Sequence, residues 1–462
     1  MKQMMTYEEK HRWMTETPIG RLIPKLAVPT IISMLVTSIY NMADTYFVSQ
    51  INTSASAAVG VNFSIMALIQ AIGFTLGLGS GNYMSRMLGA KEKEKAQRAC
   101  STAFYTALVL GTLLAVIGLS NVKSLVHLLG ATKTIAPYAI DYARYILIAT
   151  PYMTASFVLN NHLRSQGNAT QSMIGITAGG ILNILLDPIL IFGFHMGISG
   201  AAIATIFSQF ISFLILLVLV IRTKGVQKPE WKYFTAKWWV YREIMYAGMP
   251  SLGRQGLASV ASILLNITAS GYGDAAVAAM SIVARITMFI YSGLIGFGQG
   301  FQPVCGYNFG AKRFDRVRES YSFCLKAAVI GLTFLGVIFF LAATPVMSLF
   351  RADDVSVIRI GAAALKFQCL MLPCLAVVIM GNMLTQAIGY GGRATLIAIG
   401  RQGLFYIPIM LILPKMMGIT GLEIAQAAAD GCTFLMTLGI IFFVLREIKQ
   451  MEIQEKKEKA KS

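Results

Sequence analysis

Residues 29–60, PTIISMLVTSIYNMADTYFVSQINTSASAAVG, return in altered form at residues 250–281 as PSLGRQGLASVASILLNITASGYGDAAVAAMS, 221 positions later. The same offset carries Ala57 and Ala58 to Ala278 and Ala279, Gly77 and Gly79 to Gly298 and Gly300, and Gly89-Ala90-Lys91 to Gly310-Ala311-Lys312. Further on, Gly167 answers to Gly389 and GISG at Gly197 to GITG at Gly418, with a shift of a single residue between them. Both copies are apolar and neither alternates with a period of two, so the duplicated unit is a set of helices rather than barrel strands.

Composition fixes the solvent. Hydrophobic residues make up 56% of the 462, charged residues only 13%, and mean hydropathy is +0.64; a soluble domain carries about 25% charge. Apolar stretches cover residues 24–48, 57–84, 99–120, 138–159, 172–194 and 198–221, then 245–269, 277–303, 321–343, 360–381, 394–414 and 419–445. Each meets the roughly 20 residues a helix needs to cross a bilayer. The expectation is an all-α membrane protein of twelve transmembrane helices in two six-helix bundles. An even number of spans per unit makes both halves enter from one side, related by a pseudo-twofold axis along the membrane normal. The divisions are then a cytoplasmic N-terminal segment (1–23), an N-terminal lobe (24–221), a cytoplasmic linker (222–244), a C-terminal lobe (245–445) and a basic tail (446–462).

The net charge of +18 is distributed by side. Lys10, Arg12, Arg21, Lys25, Arg86, Lys91, Lys93, Lys95, Arg98, the linker bases, Lys312, Arg313, Arg316, Arg318 and the tail through Lys461 fall on one side; the other receives little beyond Lys123, Lys133, Arg351 and Lys415. This positive-inside pattern puts both termini in the cytoplasm and turns the basic charge toward lipid headgroups rather than nucleic acid. The N-terminus, MKQMMTYEEKHRW, offers no cleavable signal. Lys, Trp and Tyr in the linker suit a segment in the interface, and a solvated connector suits them equally. The six cysteines show no paired metal spacing and are expected to be reduced and packed. A monomer in a bacterial cytoplasmic membrane is expected.

Within the apolar run NILLDPILIFG, residues 183–193, stands a carboxylate, Asp187, followed at once by Pro188. A charge at the centre of a membrane helix costs about 2.5–3.5 kcal/mol on insertion scales, so it should be paired, protonated or in use. At about 1.5 Å per residue, Asp44 on the first helix, Asp187 on the fifth and Thr205 on the sixth all lie roughly 10 Å below the outer surface. Asn183 and Tyr40 each precede one of these acids by four residues and share its face. Pro188 also releases the carbonyl of Ile184. Such a cluster can hold Na⁺ or a proton. The competing account is structural: Asp44 reaching the interface and Asp187 bonding backbone donors.

The stretches YNMADTYFVSQ, SRMLGAKEKEKA, LRSQGNAT and LNILLDPILIFGFHMGISGAAIAT, with NFGAKRFDRVRES in the second half, resemble the multidrug and toxic compound extrusion (MATE) family, nearest its bacterial branch of DinF- and MepA-like exporters. The resemblance covers essentially the whole chain. It implies an antiporter, not an enzyme, that needs no cofactor and expels small amphipathic, often cationic, compounds in exchange for H⁺ or Na⁺. It also implies a cation site in the first lobe at Asp44, Asn183, Asp187 and Thr205, with Ala201 as a backbone contributor. An asparagine on the fourth helix often joins that network; Asn160 lies near the inner end of its helix and is not assigned to it. The second lobe lacks this chemistry: Asp44 maps to Leu265, and Asp187 to Pro408 or Ile409. Arg254 and Gln255 stand where some branches carry an acid on the seventh helix.

Arg254, Arg285 and Asp430 lie away from helix ends in the second lobe, where they form an ion-pair network or offer an arginine to the cavity. Pro29 and Pro188 are hinge candidates. The glycine clusters GLGSG and GFGQG fall inside spans and read as close-packing sites, not phosphate loops. GYGD at Gly271 matches an intramembrane aspartyl-protease motif, but Asp274 falls in an outer loop. A channel fits poorly, because a dead-ended polar cluster suits occlusion. Within transporters the alternative is a lipid-linked precursor flippase of the same superfamily, favoured where Arg254 and Arg285 face the cavity. For the coupling ion, a proton or a mixture of H⁺ and Na⁺ is expected.

Overall fold

The computed structural model describes residues 5–350 and 354–460; Arg351 and Lys461 lie outside them. Among the described residues twelve long helices form the body: α1 (Ile19–Ser49), α2 (Thr53–Gly89), α3 (Lys93–Ser120), α4 (Ala136–Ser165), α5 (Ala169–Gly193), α6 (Gly197–Arg222), α7 (Trp238–Ser270), α8 (Asp274–Gly310), α9 (Phe314–Leu341), α10 (Val355–Ala387), α11 (Gly391–Met417) and α12 (Ile419–Lys459). Ten are long and apolar enough to cross a membrane by length and composition alone. The other two, α4 and α7, are 30 and 33 residues long. Most of α4 is buried against α2, α3 and α6, so it can carry Thr150, Thr154 and Asn161 without presenting them to lipid.

The repeat is visible as shared structural devices. Short helices Val122–Leu128 and Ala343–Phe350 follow α3 and α9 at equivalent places. Both α2 and α8 end in a left-handed lysine, Lys91 at φ 61° and Lys312 at φ 56°. The next amide reaches back five residues in each, Glu92 N to Met87 O and Arg313 N to Asn308 O, both at 2.8 Å. Gly167 (φ 79°) and Gly389 (φ 91°) end α4 and α10 in the same way. Just inside those ends, Asn160 Nδ2 donates to Ser172 O at 3.2 Å and Ser172 Oγ at 2.6 Å, while Asn382 Nδ2 donates to Ala394 O at 2.6 Å. These asparagines clamp α4 to α5 and α10 to α11, which accounts for Asn160 without the acid cluster.

The lobes meet through α1 on α8 and α2 on α7. Glycine makes the crossings possible: a Cβ on Gly79 would lie 2.1 Å from Ile244 O, and one on Gly300 2.4 Å from Ala27 Cα. Thr30 Oγ1 donates to Gly296 O at 2.6 Å, Arg164 to Gln299 Oε1 at 2.6 Å and Arg86 to Ala387 O at 3.2 Å. All of these lie toward the side that carries the termini and the basic loops. Beyond Ser38–Ser292 (2.8 Å) and Gln255–Gln70 (3.3 Å), about midway along the helices, no side-chain hydrogen bond joins the lobes among the described residues. Ile39, Met42, Ile263, Ile267 and Met288 are exposed on the far halves.

A short helix, Tyr7–Glu16, lies across the basic side. Thr6 and Glu9 form a capping box at its start. Tyr7 donates to Leu88 O at 2.7 Å, Lys10 to Asn168 Oδ1 at 3.2 Å, and a His11 ring nitrogen lies 2.9 Å from Gly89 O; all three partners belong to the first lobe. Met14 O and Thr17 O accept from Asn308 (3.1 Å) and Arg316 (2.5 Å) of the second. The linker is likewise tied down: Ser101 Oγ accepts from Glu230 N at 3.0 Å, Gln166 Oε1 from Gln227 N at 2.6 Å, and Gln97 donates to Lys228 O. At the other end of the chain α12 does not stop at Leu445 but runs on as helix, held to α9 by Arg318–Glu452 at 2.9 Å.

Candidate functional site

Asp187 occupies the last turn of regular helix in α5. Pro188 cannot donate a backbone hydrogen bond, and the chain continues as a π-helical turn, Ile189–Gly193, closed by Phe194 N to Ile189 O at 2.9 Å. Gly200 on α6 packs against that turn: a Cβ there would lie 2.8 Å from Leu190 O. This close crossing brings Thr205, one turn further along α6, up to α5. Asn183 Nδ2 then donates to Asp187 Oδ1 at 3.3 Å and to Thr205 Oγ1 at 3.4 Å. Asp187 is fully buried, with Asn183 at 2% and Thr205 at 4% exposure. Ala201, fully buried, stands one turn before Thr205.

Asp44 closes the group from α1 and is near enough to Asp187 for the two charges to act on each other. Tyr40, one turn below Asp44, accepts from Gln209 Nε2 at 3.4 Å. Tyr142 on α4, buried, lies close enough to Thr205, Asp44 and Asp187 to be influenced by them. The sequence reading missed both Tyr142 and Gln209. Gln209 follows Thr205 by one turn and was accessible to the same helical spacing; Tyr142 gave no signal, since the register of α4 against α6 is a tertiary fact. All six expected residues, Asp44, Asn183, Asp187, Thr205, Ala201 and Tyr40, fall in this one region.

The cluster is rich in acceptors and poor in donors. Asp44 Oδ1, Asn183 Oδ1 and Asp187 Oδ2 are buried without a hydrogen-bond partner. The charges of the two carboxylates oppose each other, and no arginine or lysine pairs with either among the described residues. The donor set suits a proton shared between the acids, or Na⁺ held by the free oxygens with Thr205. No group of three or more His, Cys, Asp or Glu side chains gathers among the described residues, so a thiolate or imidazole metal centre is not what this arrangement offers.

The second lobe differs from expectation in its pairing. Asp430 is joined by Arg401, Nε to Oδ1 at 2.8 Å, not by Arg254 or Arg285. Arg401 sits in a second π-helical turn, Gly400–Leu404, inside α11, with its guanidinium 4.7 Å from the centroid of Tyr291 and Gln426 donating to the same carboxylate oxygen at 3.0 Å. The π turn rotates this arginine onto the α12 face, which simple 3.6-residue phasing does not anticipate. Arg254 is half-buried, Arg285 is exposed, and neither forms an ion pair among the described residues. Pro29 is buried within α1 and accepts from Ser33 Oγ at 2.9 Å. Asp274 is the exposed first residue of α8, at the end of that helix and not in its interior, so it does not supply the mid-span acid that the protease reading requires.

Against known proteins, the sequence matches the MatE family profile at residues 29–189 and 250–412, two segments that begin 221 positions apart like the internal repeat itself. It is 27% identical over 438 residues to the multidrug export protein MepA of Staphylococcus saprophyticus, covering 95% of this chain and 96% of that one. The fold superposes with a TM-score of 0.90 at 25% identity on an outward-facing conformation of a multidrug resistance MATE family transporter, covering 97% of this chain and all of that one. A MOP superfamily transporter from Pyrococcus furiosus, reported with a binding pocket of reverse polarity that suggests a different function, gives a TM-score of 0.88 at 26% identity, covering 95% and 98%. With its two matched repeats, its twelve helices and its lobe-to-lobe packing, the chain belongs to the MatE family of membrane transporters.

Proposed function

We propose that the protein exports small amphipathic organic compounds, preferentially cationic ones, across a bacterial cytoplasmic membrane in exchange for H⁺, Na⁺ or both. The observation that carries this reading is the Asp44–Asp187 cluster, with three buried acceptor oxygens that no donor satisfies. A buried anion without a counter-charge is costly, so the pocket has high affinity for a proton or a small cation. The cluster stands in the far half of its lobe, where the lobes share no side-chain hydrogen bond among the described residues, and the basic side, taken as cytoplasmic, is closed.

The cycle follows from those two features. A cation entering from the far side neutralises the acids and removes the repulsion between α1 and α5, which favours a different packing of α1. The π turn after Pro188 and the proline at position 29 supply the places where α5 and α1 change direction. Each elementary charge moved inward down 100 mV releases about 2.3 kcal/mol, enough to bias a lobe with two nearly balanced packings. Cargo leaves while the cleft is open to the far side, and the cation is released on the basic side. Reconstituted vesicles test this: cargo efflux should follow an imposed pH gradient, sodium gradient or both, and efflux indifferent to either overturns the antiport reading.

One observation favours a second reading of the cargo. Arg285 is exposed and precedes Ser292 by seven residues, so it shares the face of α8 from which Ser292 reaches Ser38 of the other lobe. An unpaired arginine on the cleft side suits an anionic or zwitterionic headgroup, as in a lipid-linked precursor. Transport of matched cationic and anionic amphiphiles by the Arg285→Ala variant separates the readings: a gain for cations with a loss for anions supports the flippase, and no change for either supports the exporter.

A further inference from the structure

On the basic side, between the lobes, α2, α4 and α8 border a small cleft whose polar lining is Asn82, Ser85, Asn161, Arg164, Gln299 and Gln302, among glycines, Leu78 and Pro303. All six polar residues are at least nine-tenths buried. Arg164 donates one terminal nitrogen to Gln299 Oε1 at 2.6 Å and the other to Asn161 Oδ1. Both acceptors are neutral, no carboxylate lines the cavity, and Arg164 forms no ion pair among the described residues. Asn82, 4% exposed, has a buried amide nitrogen with no partner. A buried guanidinium lacking a counter-charge and an amide donor lacking an acceptor therefore border one small space. The symmetry-related position in the other lobe is Gln386, where neutral hydrogen bonds close the network: Gln302 to Gln386 at 2.8 Å, and Gln386 to Ala247 O at 2.9 Å.

We propose that this cavity binds a small monovalent inorganic anion of the chloride class between Arg164 and the Asn82 amide. Its walls come from both lobes, Asn82, Ser85, Asn161 and Arg164 from the first and Gln299 and Gln302 from the second, so the bound anion holds the molecule in the form closed on the basic side. Separation of the lobes dismantles the site and releases the anion. The site is separate from the acid cluster: it lies toward the opposite side of the membrane, and it has the opposite charge.

The test is thermal unfolding of the purified full-length protein in potassium chloride against potassium gluconate at equal ionic strength. Chloride should raise the midpoint saturably, and gluconate, too large for the cavity, should not. Asn82→Asp, which supplies a carboxylate beside Arg164, should abolish the chloride response; Asn82→Ala should raise the half-saturating concentration about tenfold through loss of one anion-directed hydrogen bond. Equal midpoints in the two salts for the unsubstituted protein would mean that water fills the cavity, and an unaltered response in Asn82→Asp would mean that the anion acts elsewhere; either overturns the proposal. Where Asn82→Asp does not fold, bromide anomalous diffraction from the unsubstituted protein decides: a peak beside Arg164 supports the site, and its absence refutes it.

Discussion

The two lobes share their backbone devices and differ in their buried charge. Both end α2 or α8 on a left-handed lysine and both clamp the fourth helix of the unit to the fifth with an asparagine; each fifth helix also holds a π turn, though at non-equivalent places, 189–193 and 400–404. The chemistry placed on this common frame is opposite in kind. The first lobe holds two acids, Asp44 and Asp187, with unsatisfied oxygens and no cationic partner among the described residues. The second has Leu265 and Pro408 or Ile409 at those places, and its one buried aspartate among the described residues, Asp430, is neutralised by Arg401 and covered by Tyr291. An acid with a fixed counter-ion serves structure; an acid without one is free to take up an exchangeable cation. The same substitution, aspartate to asparagine, should therefore have opposite consequences in the two lobes.

The largest effect is expected in the first. Asp187→Asn and Asp44→Asn should each lower gradient-driven efflux at least tenfold in vesicles, which is about 1.4 kcal/mol or more of lost coupling. Neither should lower the unfolding temperature, because each removes a buried charge that nothing compensates. Leu265→Asn at the symmetry-related place should lose far less transport. Normal efflux by the aspartate variants at equal expression, or loss explained by misfolding, breaks the proposed assignment.

The second lobe should respond in stability. Asp430→Asn leaves Arg401 buried without its partner and should cost about 3–5 kcal/mol, read as a lowered unfolding midpoint. Replacing the pair together, Arg401→Met with Asp430→Leu, should recover most of that loss, since both charges then leave the low-dielectric interior. A double variant as unstable as the single one would show that the pair does more than neutralise itself.

The residues themselves explain how much of this was legible in sequence. Twelve apolar runs, a 221-residue repeat and one-sided basic loops specify a duplicated helical membrane fold, because lipid forces every span to satisfy its own backbone. Asn183, Asp187 and Thr205 could be set at one depth by counting 1.5 Å per residue. Arg401 could not be paired with Asp430, because a π turn breaks the regular phasing between them. Tyr142 and Arg164 escaped notice for a related reason: their partners come from other helices, and the register between helices is set by packing that helical periodicity alone does not encode.

The asparagine clamps sharpen the comparison from the other direction, since here the lobes should behave alike. Asn160→Ala and Asn382→Ala each remove a buried hydrogen bond to a carbonyl, Ser172 O or Ala394 O, that keeps its helical donor, at a cost of about 0.5–1.5 kcal/mol. Asn160 also bonds Ser172 Oγ, so its loss should be the larger. Transport per folded molecule should persist in both. An Asn160→Ala variant that folds normally but loses cation coupling would move this residue into the acid cluster and undo the symmetry argument.

The smallest expected effect concerns the short helix Tyr7–Glu16 that spans both lobes. Its first-lobe contact includes Lys10, whose burial against Asn168 lowers its pKa from 10.5 to about 8. Undocked, Lys10 keeps its ordinary affinity for a proton; docked, it binds one less tightly, so docking releases protons and strengthens as pH rises. The cost of docking is full below about pH 8 and disappears as pH passes the undocked value near 10.5, and between pH 7.5 and 8.5 the docking equilibrium should gain about threefold. The second-lobe end, where Thr17 O accepts from Arg316 at 2.5 Å, involves a guanidinium that stays charged throughout this range. Hydrogen exchange corrected for its intrinsic pH dependence should therefore show protection rising with pH around residues 7–12 more than around Asn308 and Arg316. Lys10→Met should remove the pH dependence and keep the helix docked at pH 7.5; a variant with the same pH profile as the unsubstituted protein would assign the effect to another group.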